Sequence, residues 1–167
     1  MIVLGIDVGL RVSGYVVCKM NETQVNLIKE GEVKTKFSKN LPKRLLLIYE
    51  EFSKVINDYK PQAVILEKLY SHYRHPTTVA LLSQVRGVIL LLIEKHGLNF
   101  FDYSSTKARK SFLGKGNAES FQVKKMAENI LGRKLFSQHT ADAYSLVVAF
   151  SHTQKLKRLE DDWKNKG

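Results

Sequence analysis

The sequence predicts an α/β fold: a mixed five-stranded sheet, an antiparallel meander followed by parallel strands, with helices on both faces. Three observations carry that prediction. Three β-rich segments open the chain, joined by short turns. Segments of helical periodicity then alternate with short apolar segments, the pattern of strand–helix–strand crossovers. Two of the apolar segments end abruptly at a carboxylate, Asp7 and Glu67.

Taken in order, Ile2 to Asp7 is an apolar run, and Gly9 and Gly14 bracket a turn after it. Tyr15 to Lys19 is rich in β-formers and reads as the second strand. Thr23 to Val33 alternates Val25 and Leu27 with polar residues, which makes a third. Leu45, Ile48, Phe52, Val55 and Ile56 then recur at helical spacing between Leu41 and Tyr59. Pro42 suits the first turn of that helix and Pro61 ends it. Ala63 to Glu67 is a buried strand, Thr77 to Lys95 a long helix closed by Gly97, and Asn99 to Tyr103 the fifth strand. A broken helical stretch from Ser105 to Phe112 leads to Gly114-Lys115-Gly116. Helices follow from Ala118 to Leu131 and from near Ser137 to at least Phe150. The segment after His152 is charged and reads as a helical extension or a frayed end.

With 167 residues, the chain is expected to form one domain over residues 1–154, with a charged C-terminal tail over 155–167. A domain of this size buries roughly 70% of the surface of its unfolded chain, enough for a core without crosslinks. The single cysteine, Cys18, lies in an apolar stretch and reads as a small buried hydrophobe in a reducing compartment. The longest apolar run, Val88 to Ile93, is far short of a membrane span, and the chain opens without a signal-like pattern. No membrane partner and a cytoplasmic location are therefore expected. Lys and Arg number 27 against 16 acidic residues, a formal net charge of +11, which favours a polyanionic partner such as DNA or RNA.

Taken alone, an Asp at a strand end stabilises a turn, and Glu67 is a solvated acid or a partner for Lys68. Together they say more. Adjacent parallel strands would bring Asp7 and Glu67 to one sheet edge, where like charges repel unless a cation lies between them. Asp142, flanked by Ala141 and Ala143, adds a third acid on a closely packed helix. Hard oxygen ligands suit Mg²⁺ or Mn²⁺, and a pair of such ions suits phosphodiester hydrolysis.

These segments resemble the RuvC family of Holliday junction resolvases. The resemblance is carried by Leu4-Gly5-Ile6-Asp7-Val8-Gly9 with Gly14-Tyr15, and by Ala63-Val64-Ile65-Leu66-Glu67 followed by Leu81-Leu82-Ser83-Gln84-Val85-Arg86-Gly87-Val88. It continues through Gly114-Lys115-Gly116-Asn117-Ala118-Glu119 with Gln122-Val123, and ends in His139-Thr140-Ala141-Asp142-Ala143. The motifs span nearly the whole chain in order. Sugar kinases share the first, whereas Gln84 to Gly87 together with Ala141-Asp142-Ala143 is far more specific. The resemblance implies a ribonuclease H-like fold and a homodimer that nicks two opposing strands of a four-way DNA junction. It implies that Asp7, Glu67 and Asp142 hold two Mg²⁺ ions, with Mn²⁺ as a substitute. The remaining ligand position of the family falls on His139, three residues before Asp142 and on the same helical face. His139 is expected to bind metal or to position the attacking water. Val8 stands where many members have proline, which echoes the YqgF-type ribonuclease H-like family; Gln84 to Gly87 argues against that assignment.

Tyr70 matches a position that is often aromatic in the family, and its loop also holds Arg74. Tyr70 is expected to wedge into the junction centre, with Arg74 on phosphate. Lys107, Arg109, Lys110 and Lys115 surround a segment just before the Gly114 to Gly116 turn and are expected to contact the DNA backbone. A YqgF-like nuclease acting on RNA and a non-catalytic junction-binding module are the alternatives; three intact carboxylates weigh against the second. Whether a branch-migration helicase complex acts with the protein stays open at this level.

Overall fold

The computed structural model describes residues 1–22, 24–35, 40–69 and 76–164. In chain order the elements are β1 (Ile2–Asp7), β2 (Val12–Met20), β3 (Val25–Lys34), α1 (Leu41–Tyr59), β4 (Ala63–Glu67), α2 (Pro76–Lys95), β5 (Asn99–Tyr103), α3 (Ser105–Leu113), α4 (Ser120–Leu131) and α5 (Gln138–Lys164). One five-stranded sheet runs in the order β3-β2-β1-β4-β5. β1, β2 and β3 pair antiparallel, whereas β4 pairs parallel with both β1 and β5. The predicted mixed sheet is therefore the one observed.

Its middle strands are covered on both faces, which is why they read as continuous apolar runs. Val3, Ala63 and Ile65 point into a core shared with α3, α4 and α5. Leu4, Ile6, Val64 and Leu66 point the other way, onto α1 and α2. On that side α1 buries Ile48, Phe52, Val55 and Ile56, the stripe its periodicity predicts. Burying each such side chain contributes about 1.5–3 kcal/mol. The Asn40 side chain caps α1 by accepting from the Lys43 N–H, and Lys60 closes it in the left-handed conformation just before Pro61. α2 buries Leu82, Val85, Ile89, Leu92 and Ile93. By length and composition α2 is apolar enough to cross a membrane, which the short run from Val88 to Ile93 did not suggest; here its inward stripe fills the core under the sheet. Cys18 is fully buried, and burial pushes its thiol up to about 12, so it is an inert core residue.

Two glycines decide how close α5 lies to the sheet. A Cβ on Gly5 would meet the Ala143 carbonyl oxygen at 2.7 Å, and one on Gly14 would meet the His139 carbonyl oxygen at 2.6 Å. Glycine in a strand interior often marks such a close backbone approach. Because Gly14 is read as a turn residue from the sequence, the second strand is expected from Tyr15; it in fact begins at Val12 and includes Gly14. α5 takes the first of the two readings of the charged tail, a helical extension. It buries Ala141 and the run from Ala143 to Phe150, then continues through the charged tail as far as Lys164.

Candidate active site

Asp7 and Glu67 are the last residues of adjacent parallel strands, one position beyond the paired Ile6 and Leu66. Both side chains leave the same edge of the sheet on the face covered by α5, because their neighbours Ile6 and Leu66 point to the α1–α2 side. α5 supplies His139 and Asp142 from its first turns, drawn in by the close packing at Gly5 and Gly14. The structure thus brings together all four residues singled out in the sequence.

Their electrostatics are those of one coupled unit. Glu67 is raised to about 7, first by burial and then by repulsion from Asp7 and Asp142; a hydrogen bond from Ser105 and the nearby Arg109 charge oppose the rise. Asp142 is raised to about 6, again by burial first and Asp7 second, opposed by Arg109 and Gln138. His139 Nδ1 lies 2.7 Å from Asp7 Oδ2, and that hydrogen bond raises the imidazole above its ordinary value. In this arrangement the Nδ1 nitrogen is engaged by Asp7. Among the described residues, no three His, Cys, Asp or Glu side chains already close around one point. What the site presents is three half-buried, mutually repelling carboxylates, an all-oxygen donor set to which a hard divalent cation would restore full ionisation.

That frustration gives a testable sign. Glu67 and Asp142 have folded values above their unfolded ones, so the folded protein holds protons that the unfolded chain releases, and stability falls as pH rises through this window. His139 acts in the same direction: its stabilisation is present below its unfolded value and is lost as pH rises through the raised folded one. Without metal, the melting temperature is expected to drop by several degrees between about pH 5.5 and about pH 8. Added divalent cation should restore it most at the higher pH. A melting temperature that is flat or rising over that interval in chelator would refute this electrostatic account.

Sequence reasoning missed three polar residues here. Ser105 opens α3 and reaches Glu67. Gln138 Nε2 donates to the Ser120 carbonyl at 2.5 Å and stands 3.5 Å from Asp142 Oδ2. Arg86 is discussed below. No local signal marks Ser105 or Gln138, whose roles arise only once α3, α4 and α5 meet. A recess of about 40 Å³ behind the carboxylates, lined by Glu67, Ser105, Arg109, Asp142 and Ser145, is of the size that holds a single water. A larger open groove of about 670 Å³, lined by Met1, Met20, Lys155 and Arg158, lies at the opposite end of β1 and contains none of the carboxylates.

The expected DNA contacts divide. Lys107 and Lys110 are exposed on α3 and Lys115 just beyond it, with Lys107 Nζ 5.0 Å from the Tyr103 ring centroid. Arg109 instead turns inward, donating to the Ala118 carbonyl and to Ser120 Oγ, both at 2.9 Å, beside Glu67 and Asp142. Tyr70 and Arg74 lie outside the described residues.

Comparison with known proteins identifies the family and the fold. The family model for crossover junction endodeoxyribonuclease RuvC matches residues 3–152. A protein of that description from Petrotoga mobilis is 36% identical over 154 residues, covering 91% of this chain and 93% of that protein. Another from Ruminiclostridium cellulolyticum is 32% identical over 152 residues, covering 91% of each. Among solved structures, Thermus thermophilus RuvC in complex with Holliday junction substrate superposes with a TM-score of 0.85 at 24% identity, covering 94% of this chain and 96% of that one. The fold is therefore ribonuclease H-like, as the sequence motifs imply.

Proposed function

The chain belongs to the RuvC family of crossover junction endodeoxyribonucleases, and from that premise we propose that it resolves four-way DNA junctions by nicking two opposing strands. The observation that carries the reading is the convergence of Asp7, Glu67 and Asp142 at one sheet edge, each on the element the family motifs require. Nucleases of this family are metal-dependent. We propose Mg²⁺, two ions per site, held by Asp7, Glu67 and Asp142, with Mn²⁺ able to substitute. Bound there, the ions would supply Lewis acidity toward the scissile phosphate and a nucleophile at neutral pH. The chain's own residues do the positioning. Ser105 and Gln138 orient Glu67 and Asp142 by hydrogen bonds, and Arg109 adds a fixed positive charge behind them. His139, hydrogen-bonded to Asp7, would hold a proton for the attacking water.

Lys107, Lys110 and Lys115 form an exposed basic rim for the DNA backbone. Tyr70 is proposed to wedge into the unpaired junction centre, with Arg74 beside it on phosphate. Tyr70→Ala is expected to slow cutting at least about tenfold, roughly the loss of one base-stacking contact, while leaving metal binding intact. Undiminished cutting by that variant would sink the wedge.

Paired nicking requires two active sites, and we propose a homodimer built on the outward face of α2. Ala80, Gln84, Gly87 and Leu91 share that face and are exposed, and a Cβ on Gly87 would meet nothing within 4 Å. A glycine in mid-helix with no internal reason for its smallness costs about 1 kcal/mol relative to alanine and fits close approach by a second helix. Gly87→Arg is expected to give a folded monomer in sedimentation that makes single nicks; a dimer that still cuts in pairs would move the contact elsewhere. The reading is of a cytoplasmic enzyme, supported by the buried, unpaired Cys18. A branch-migration helicase complex is the kind of partner that would deliver mobile junctions. Competition between a four-way DNA junction, a linear duplex and a structured RNA tests the substrate class: the junction should be cut in strong preference, and equal or better cutting of RNA would overturn the proposal.

A further inference from the structure

The Gln84-Val85-Arg86-Gly87 segment belongs to the more specific pair of motifs in the chain, and the chemistry described so far makes no use of its arginine. We propose that Arg86 is a positioning residue for Glu67, fixing the backbone from which that carboxylate enters the metal site. The inference rests on the reading of Glu67 as a metal ligand.

Arg86 lies on the inward side of α2, its side chain only 13% exposed. Nη1 donates to the carbonyl oxygen of Glu67 at 2.5 Å, and Nη2 to Asp102 Oδ2 at 3.1 Å. The guanidinium carbon stands 5.5 Å from the Phe100 ring centroid. One planar group thus ties α2 to the end of β4 and to β5. In the same peptide unit, the Lys68 N–H donates to the Tyr103 carbonyl at 2.8 Å. The peptide unit that follows the Glu67 Cα is therefore held at both its oxygen and its nitrogen.

The Glu67 side chain points to the opposite face of the sheet, toward Ser105, Arg109 and Asp142. Arg86 accordingly acts on it through the backbone and not by contact with the reacting atoms. Such a charge is costly to bury unless it is fully paired, and an apolar side chain would fill the space at less cost. The fork geometry explains the choice: a guanidinium spans two fixed acceptors in one plane, which the single ammonium of lysine cannot do. Loss of the fork would free the strand end on which the carboxylate depends. Residues that orient ligands in this way typically change metal affinity or activity by about 10–100-fold when removed.

The test is Mn²⁺ binding by the DNA-free protein, for wild type, Arg86→Met, Arg86→Lys, Asp102→Ala and Glu67→Gln, with junction affinity and single-turnover cutting measured alongside. Arg86→Met is expected to weaken Mn²⁺ binding at least about tenfold, with Arg86→Lys and Asp102→Ala intermediate. Cutting should recover in part at high metal, and junction affinity should stay within about twofold, a pattern a merely destabilised protein would not give. Should Arg86→Met fail to fold, Arg86→Lys and Asp102→Ala decide alone. Wild-type Mn²⁺ affinity in the folded variants overturns the inference, as does Mn²⁺ affinity unchanged in Glu67→Gln. Weakened Mn²⁺ binding in a protein that cuts no junction would leave the inference standing and sink the proposed function.

Discussion

Asp7→Asn is expected to lower the rate of junction cutting by on the order of 10³-fold while leaving junction binding within a few-fold of wild type. Asparagine keeps the shape and loses the charge, and Asp7 is the group that couples the whole cluster. It adds to the raising of both Glu67 and Asp142, and its hydrogen bond is the largest cause of the raised value of His139. Removing its charge should therefore lower all three toward their ordinary values. The metal-free variant should then be more stable than wild type at neutral pH, with little further stabilisation by divalent cation. Catalytic sites commonly trade stability for function in this way. Calorimetry with and without metal, next to single-turnover cleavage, checks both halves. A variant that cuts normally, or one that loses junction binding in step with cutting, would remove Asp7 from the metal site.

Gly14→Ala is expected to cost nearly as much through geometry alone. Gly14 faces Asp7 directly across the β1–β2 pair, and the added methyl would press on the His139 backbone. Overpacking of this kind typically costs about 1–3 kcal/mol. Its larger consequence is displacement: α5 carries both His139 and Asp142, and a shift of about 1 Å in catalytic groups is worth on the order of 10²-fold in rate. Melting temperature should fall, and cutting should fall further than the loss of folded protein explains. Unchanged cutting at equal folded concentration would mean that the approach of α5 does not set the site.

The carboxylates were legible in the sequence because the physics that exposes them is local. An apolar strand that stops at an acid declares its own boundary, as at Asp7 and Glu67, and the stripe of α1 from Leu45 to Ile56 declares its buried face. Gly14 misled because glycine signals a turn locally, whereas its smallness here serves a helix more than 120 residues away in the chain. The end of α5 was left between two readings for a related reason. Beyond Phe150 the helix leaves the core, so its charged residues carry no apolar period from which to read it. Arg109 and Arg86 show the limit most clearly. Composition reveals that a guanidinium is present but not which way it turns, and both turn inward onto the two sides of the Glu67 region.

The most direct test of the whole account is nick mapping on an end-labelled mobile four-way junction with Mg²⁺. The account predicts paired nicks at matching positions in two opposing strands, made by wild type and absent from Asp7→Asn, Glu67→Gln and Asp142→Asn alike. Tight binding of the junction with no nicks across metals and sequences, or nicks that persist in the carboxylate variants, would contradict it.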